Sequence, residues 1–180
     1  MIDTPNGEVK AASVVADLDG GILSGATKAE LNRIADVSAR LVSVGGTALT
    51  LTVADHSDKI ILLDHSAAAS TVTLPAAAGT GAVFRFLVKA VNTNNHLIKV
   101  VGDDVMKGFV SSLDNDSNAV TGYAASSTDD TITLNGTTTG GQIGDWIELV
   151  DVAADTWAVK GAVVVPAGSN VADMFSATVT

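Results

Sequence analysis

Three histidines are the first candidates for chemistry, since imidazole serves both as a metal ligand and as a general base. His56 and His65 flank the apolar segment KIILLD. As a strand rising ~3.3 Å per residue, this segment separates them by roughly 20 Å, too far to share one metal ion. We therefore expect surface or turn histidines, with His96 as the third. No G-x-S-x-G elbow accompanies them, so an enzyme is not predicted.

Paired carboxylates are the second candidates. Asp103-Asp104 and Asp129-Asp130 lie in predicted turns, as does the segment DNDSN at 114–118. That segment opens like a calcium loop, but Ala119 replaces the glycine required at its sixth position and Ala125 the glutamate at its twelfth. We expect solvated acidic turns and no metal site.

Glycine-rich and tryptophan-bearing segments complete the search. TTTGGQIGD lacks the Lys-Ser/Thr of a phosphate-binding loop, so it predicts a tight turn and no cofactor. Trp146 and Trp157 lie in alternating segments, DWIELV and TWAVKG, where packing between strands is favoured. An exposed platform that stacks against carbohydrate is the alternative.

The composition bounds what can position these residues. The 180-residue chain has a net charge of −10 and no cysteine, and its mean hydropathy is +0.36 with only 4% aromatic residues. Such a chain draws its apolar character from small and β-branched side chains, which suit thin β-layers. The absence of a basic cluster argues against nucleic acid and anionic membrane as partners. The polar, acidic segment MIDTPNGEVK predicts no secretory signal.

Residues 42–180 are predicted to form a β-rich domain. Short alternating segments recur every 8 to 12 residues or so between turn signals, a spacing typical of a sandwich or barrel. The fold class is therefore mainly β, an antiparallel β-sandwich or barrel-like domain. The predicted strands are LVSV, ALTLTV, KIILLD, STVTLP, AVFRFLVKA, HLIKVV, NAVTGYAA, DTITLN, DWIELVDV, TWAVKGAVVV and SATVT.

A weak internal repeat indicates two related β-motifs within this domain. TVTL, beginning at Thr71, recurs as TITL beginning at Thr131, 60 positions later. Each copy is followed by a glycine-rich connection and then by a strand that carries aromatic residues.

Residues 1–25 are predicted to form an extended N-terminal arm, because turn residues interrupt them too often for a packed element. The arm is either a disordered leader or a segment that becomes ordered on a partner. Its apolar contact residues would be Ile2, Val14, Val15, Ile22 and Leu23.

Residues 26–41 are predicted to form one short helix. Thr27 and Glu30 fit a capping box. Leu31, Ile34 and Leu41 then form a narrow apolar seam. The seam packs against the β-domain or against copies of itself about a symmetry axis, which would make these residues an oligomer interface.

Three segments together resemble the head decoration, or capsid cement, proteins of tailed bacteriophages. These segments are GATKAELNRIADVSARLVSV, TVTLPAAAGTGAVFRF and DDTITLNGTTTGGQIGDWIELVDVAADTWAVKG. The resemblance implies a β-rich trimer without catalytic residues, made in the host cytoplasm and fixed to the outer capsid surface. Its partners would be the major capsid protein, contacted through the arm, and other copies of itself. Similar patterns occur in phage tail fibres and spikes, so a receptor-binding module that contacts host glycans is the alternative.

Overall fold

The structure, a computed structural model, describes residues 40–178. The predicted arm and nearly all of the predicted helix lie outside these residues. Twelve strands and one four-residue helix make up the described elements, so the prediction of a mainly β fold is confirmed. They are β1 (Leu41–Ser43), β2 (Ala48–Thr50), α1 (Val53–His56), β3 (Ile60–Leu63), β4 (Ser70–Thr73), β5 (Val83–Val88), β6 (His96–Lys99), β7 (Val105–Asp114), β8 (Val120–Ala124), β9 (Thr131–Leu134), β10 (Trp146–Ala153), β11 (Thr156–Val165) and β12 (Phe175–Ser176).

The first six strands alternate between two sheets. β1, β3 and β5 pair in parallel in one sheet, and β2, β4 and β6 pair in parallel in the other. The chain therefore winds through three turns of a flat coil. Because each turn crosses to the opposite sheet before returning, neighbouring strands of one sheet run in the same direction.

Later strands extend both sheets. The larger sheet has seven strands in the order β1-β3-β5-β10-β11-β7-β8, and the smaller has five in the order β12-β9-β6-β4-β2. Five of the ten strand pairs are parallel, although antiparallel pairing is predicted from the sequence. The sandwich is therefore built of two mixed sheets.

One hydrophobic core joins the inner faces of the two sheets. The larger sheet contributes Phe84, Phe86 and Trp157, and the smaller contributes Ile98 and Ile132, all of them buried. Along β5 and β10, buried residues alternate with more exposed ones, as expected for strands with one face on a core. The side chains of the other face of the larger sheet point away from this core.

Local predictions differ from the structure at three places. The segment ALTLTV is a strand only to Thr50, because the hydroxyl of Thr52 accepts a hydrogen bond from the backbone N–H of Asp55 and begins α1. Leu41 is the first residue of β1 and not part of a helix. Strand β7 was not predicted, since three successive exposed residues, Lys107 to Phe109, interrupt its alternation.

The two repeated segments, TVTL at β4 and TITL at β9, occupy equivalent positions in the smaller sheet. β4 and β9 lie on either side of β6, and β5 and β10, the strands that follow them, pair directly with each other. A loop held by a buried aspartate connects the strands of each motif: Asp151 holds the first loop and Asp145 the second.

Candidate interaction surface

The two tryptophans lie on opposite faces of the larger sheet. Trp157 is fully buried and packs edge-on against Phe84, with ring centroids 5.6 Å apart. Trp146 lies on the outer face and keeps 43% of its surface exposed. The predicted packing role thus belongs to Trp157, whereas Trp146 is partly exposed on the outer face.

A groove runs across the strands from Trp146 to the edge of the sheet. Trp146 is paired with Ala162, Ala162 with Ser111, and Ser111 with Gly122 on β8. Ala162 and Ser111 form the floor of the groove, and Gly122 continues this row of small residues to the edge of the sheet. The indole closes one end, and the other end opens at strand β8.

Larger side chains form one wall of this groove. The wall consists of Val164, Leu113 and Val120, which are paired across β11, β7 and β8. Lys160, Phe109 and Ala124 follow on the other side of the floor in the same three strands and do not line the cavity. The cavity measures about 380 Å³. We call this feature the Trp146 groove. Its apolar lining residues are Leu113, Val120, Ile143, Trp146, Ala162, Val163 and Val164.

The loop before β10 shapes the end of the groove next to Trp146. Ile143 projects from this loop with 71% of its surface exposed. The backbone N–H groups of Gly141 and Gln142 donate to one carboxylate oxygen of Asp145 at 2.8 and 2.9 Å, and that of Val164 donates to the other at 2.9 Å. Gly140 has a φ of +77°, and an added Cβ would lie 2.5 Å from the Cβ of Val163. The loop therefore holds Ile143 outward on a rigid base.

The charged groups near the groove are already engaged. Burial raises the pKa of Asp145 to about 6, although three backbone N–H groups act in the other direction. Hydrogen bonds from Lys160 and Arg85 hold the pKa of Glu148 below its ordinary value. Glu148 bridges these two cations at 2.9 and 2.8 Å. The groove thus presents apolar surface beside a row of ion-paired side chains, which suits protein contact better than acid–base chemistry.

A Ser–His pair in the smaller sheet is enclosed in the protein. The hydroxyl of Ser70 lies 2.7 Å from Nδ1 of His96, and both residues are fully buried. Because the carbonyl of Ala90, 2.9 Å from Nε2, can only accept, Nε2 carries the proton and Nδ1 accepts from Ser70. The expectation of a surface or turn histidine is therefore wrong for His96, which joins β6 to neighbouring chain segments.

The predicted acidic turns divide into two kinds. Asp114 accepts hydrogen bonds from the Asp116 N–H and the Ser117 hydroxyl, as an exposed turn does. Asp104 and Asp130 are buried, where solvated side chains were expected. Among residues 40–178, no group of three His, Asp or Glu side chains is placed to hold a metal ion.

The predicted contact residues fall almost entirely outside the described chain. This applies to Ile2, Val14, Val15, Ile22 and Leu23 of the arm, and to Leu31 and Ile34 of the helix. Leu41 is described: it is exposed at the edge of the larger sheet, where β1 pairs with β3.

Sequence reasoning did not find the groove residues other than Trp146. Val120 and Ile143 could not be singled out in the sequence, since residue type alone does not distinguish an exposed valine or isoleucine from a buried one. The one available signal was the uncharged stretch around β8.

No protein-family model, curated protein or solved structure matches this chain. Within residues 40–178, no helix is long and apolar enough to cross a membrane.

Proposed function

We propose that this chain is a structural virion protein that decorates and stabilises the outer surface of a phage capsid as a homo-oligomer. The observation that carries the proposal is the Trp146 groove, an apolar surface on the outside of an acidic protein. Exposed apolar surface of this kind marks protein contact sites. The resemblance noted in the sequence adds the capsid as the partner and three as the number of copies.

The character of the groove supports a protein partner. Its small-residue floor and apolar wall can receive side chains, while both oxygens of Asp145 are occupied by backbone N–H groups. Arg85, Glu148 and Lys160 form a row of paired charge next to it, two cations on one carboxylate. Polar groups beside an apolar centre are the usual anatomy of a protein interface.

Binding to particles tests the proposal. Purified protein is added to capsids that lack it, and co-sedimentation measures the bound fraction. We expect Ile143→Ser to weaken binding at least tenfold, because Ile143 is a prominent apolar side chain at the groove. Val152→Ser is the matched control: Val152 is also exposed, at 51%, but does not line the groove. Equal binding by the wild type and the Ile143→Ser variant would remove the groove from the proposal.

The exposed indole of Trp146 favours a second candidate, a receptor-binding module of a tail fibre or spike. Aromatic faces stack against the apolar faces of sugar rings, and Ala162 beside the indole leaves room for a ring. A glycan array probed with the wild type and a Trp146→Ala variant separates the candidates. Specific signals that disappear in the variant would favour glycan binding over capsid decoration.

A further inference from the structure

Strand β8 is an open edge of the larger sheet. It pairs with β7 on one side, and no other strand within residues 40–178 pairs with its second side. With five residues, β8 is longer than the other strands that end the two sheets. These are β1 and β2, with three residues each, and β12 with two. Short edges resist pairing, whereas a long flat edge invites it.

The hydrogen-bonding pattern shows which backbone groups are free. The N–H of Asp114 donates to the carbonyl of Ala119, and the N–H of Ala125 donates to the carbonyl of Gly108. Since bonded and non-bonded pairs alternate along an antiparallel ladder, the backbone groups of Val120, Gly122 and Ala124 point away from β7. Three N–H and three carbonyl groups therefore face outward, in a pattern that another strand can complete.

The usual protection of an edge strand is missing from β8. Natural edges carry lysine, proline or a bulge that prevents pairing. Here residues 117–128 contain no charged residue and no proline. The pairing of β8 with β7 is continuous from Val120 to Ala124, so no bulge interrupts it.

We propose that β8 pairs antiparallel with β8 of a second copy of this chain, about a twofold axis centred on Gly122. In this register Gly122 lies opposite its own copy, and Val120 lies opposite Ala124. The two small-residue floors meet end to end, so the two Trp146 grooves join into one. The contact is isologous, the commonest form of symmetric association.

Charge complementarity favours a second copy as the occupant. Lys107 lies at the Ala124 end of β8, where its Nζ donates to the carbonyl of Ser126 at 3.0 Å. Asp114 and Asp116 lie beyond the Val120 end. Antiparallel pairing brings Lys107 of one copy toward Asp114 and Asp116 of the other. Asp129 also lies near Lys107, where its carboxylate accepts from the N–H of Ser126, so the attraction comes from Lys107 itself and not from a net charge of this end.

The oligomeric mass in solution tests the inference. Sedimentation of the full chain at micromolar concentration is expected to show an even number of copies, two, or six if a threefold contact is also made. Val120→Lys places a charge on the paired edge and is expected to halve the mass. Val152→Lys adds the same charge to another exposed valine, outside β8, and is expected to leave the mass unchanged.

A second variant separates loss of pairing from loss of folding. Gly122→Pro removes an N–H that faces outward, and proline is tolerated at such edge positions. Its added Cβ would approach the Phe109 ring no closer than 4.0 Å. We expect this variant to keep the circular dichroism spectrum of the wild type and to have half its mass.

Two results would overturn the inference: a wild-type monomer, or an oligomer whose mass neither Val120→Lys nor Gly122→Pro changes. A truncated chain that lacks residues 1–39 tests whether the N-terminal segment, and not a second copy, occupies the edge of β8. If only this truncated chain associates through β8, the edge of the full chain is covered by its own N-terminal segment, and the inference is wrong. The inference does not rest on the proposed function, because mass is measured without capsids.

Discussion

The indole N–H of Trp157 donates to a carboxylate oxygen of Asp104 at 3.3 Å inside the protein. The same oxygen accepts the backbone N–H of Ala77 at 2.7 Å. One buried acid thus connects strand β11 to the loop that follows β4. Burial of a carboxylate is unfavourable unless hydrogen bonds satisfy it, and here they do. Part of the chain's acidity therefore serves to hold loops in place.

The two tryptophans are expected to respond very differently to truncation. Trp157→Ala removes a fully buried ring and one partner of Asp104, so the free energy of unfolding should fall by about 4 kcal/mol. Trp146→Ala removes a ring that is already 43% exposed and should cost about 1 kcal/mol or less. Urea denaturation followed by circular dichroism measures both. A similar loss in the two variants would contradict the assignment of Trp157 to the core and Trp146 to the surface.

Much of the fold was predictable because period-two patterns reveal strands with one buried face. AVFRFLVKA and DWIELVDV gave β5 and β10 in this way. Strand direction was not predictable, since a parallel and an antiparallel strand of a half-buried sheet carry the same alternation. The parallel coil of β1 to β6 depends on how each connection crosses between sheets, which no residue pattern in the connections records.

The candidate surface was only partly predictable. Trp146 drew attention as a large aromatic residue in an alternating segment, but the small-residue floor beside it depends on cross-strand register. Ala162, Ser111 and Gly122 come from three strands and are adjacent only once β10, β11, β7 and β8 pair in this order. One of these strands, β7, was not predicted, so the groove could not be assembled from the sequence.

Asp151 is expected to be the main anchor of the loop after β4. Its two carboxylate oxygens accept the backbone N–H groups of Ala78, Gly79 and Thr80 and the hydroxyl of Thr80. Asp151→Asn replaces one acceptor oxygen by a donor that faces N–H groups, so we expect a loss of about 2 kcal/mol. Thermal unfolding at neutral pH measures it.

Asp155→Asn is the matched control for Asp151→Asn. Asp155 is exposed in a turn at a φ of +57°, a conformation that asparagine also adopts. The control should unfold within a degree or two of the wild type. Equal melting temperatures for the two variants would mean that Asp151 does not anchor the loop.

Gly108 allows β7 and β11 to approach each other closely. An added Cβ at this position would lie 2.0 Å from the carbonyl oxygen of Val159, and φ is +132°. Gly108→Ala must therefore displace backbone, and we expect a loss of more than about 3 kcal/mol or failure to fold. Gly102→Ala is the control, because φ there is +57° with no atom within 4 Å of the added Cβ. It should cost only about 1 kcal/mol of backbone strain. Chemical denaturation measures the free energy of unfolding of both variants. Equal losses would mean that the close approach of β7 and β11 does not require glycine at position 108.

Asp145 should make the protein less stable as the pH rises toward neutrality. Burial raises the pKa of Asp145 to about 6 in the folded chain, against 3.8 for the ordinary side chain. Between these two values the folded state holds a proton that the unfolded state has released. The contribution of Asp145 to the free energy of unfolding is therefore fully present below pH 3.8 and is lost as the pH rises through about 6. Between pH 5 and 7 this loss amounts to about 1 kcal/mol.

The measurement must separate Asp145 from His96, a second buried group whose pKa is shifted. Burial lowers the pKa of His96, so its contribution to stability rises with pH and opposes that of Asp145. The difference between the wild type and an Asp145→Asn variant removes the histidine contribution, because His96 is present in both chains. We expect unfolding free energies measured from pH 5 to 7 to decline more steeply in the wild type. The Asp145→Asn variant should be less stable at every pH, since an amide cannot accept all three backbone N–H groups. Parallel pH profiles for the two proteins would contradict the prediction, because they would show that Asp145 is ionised across this range.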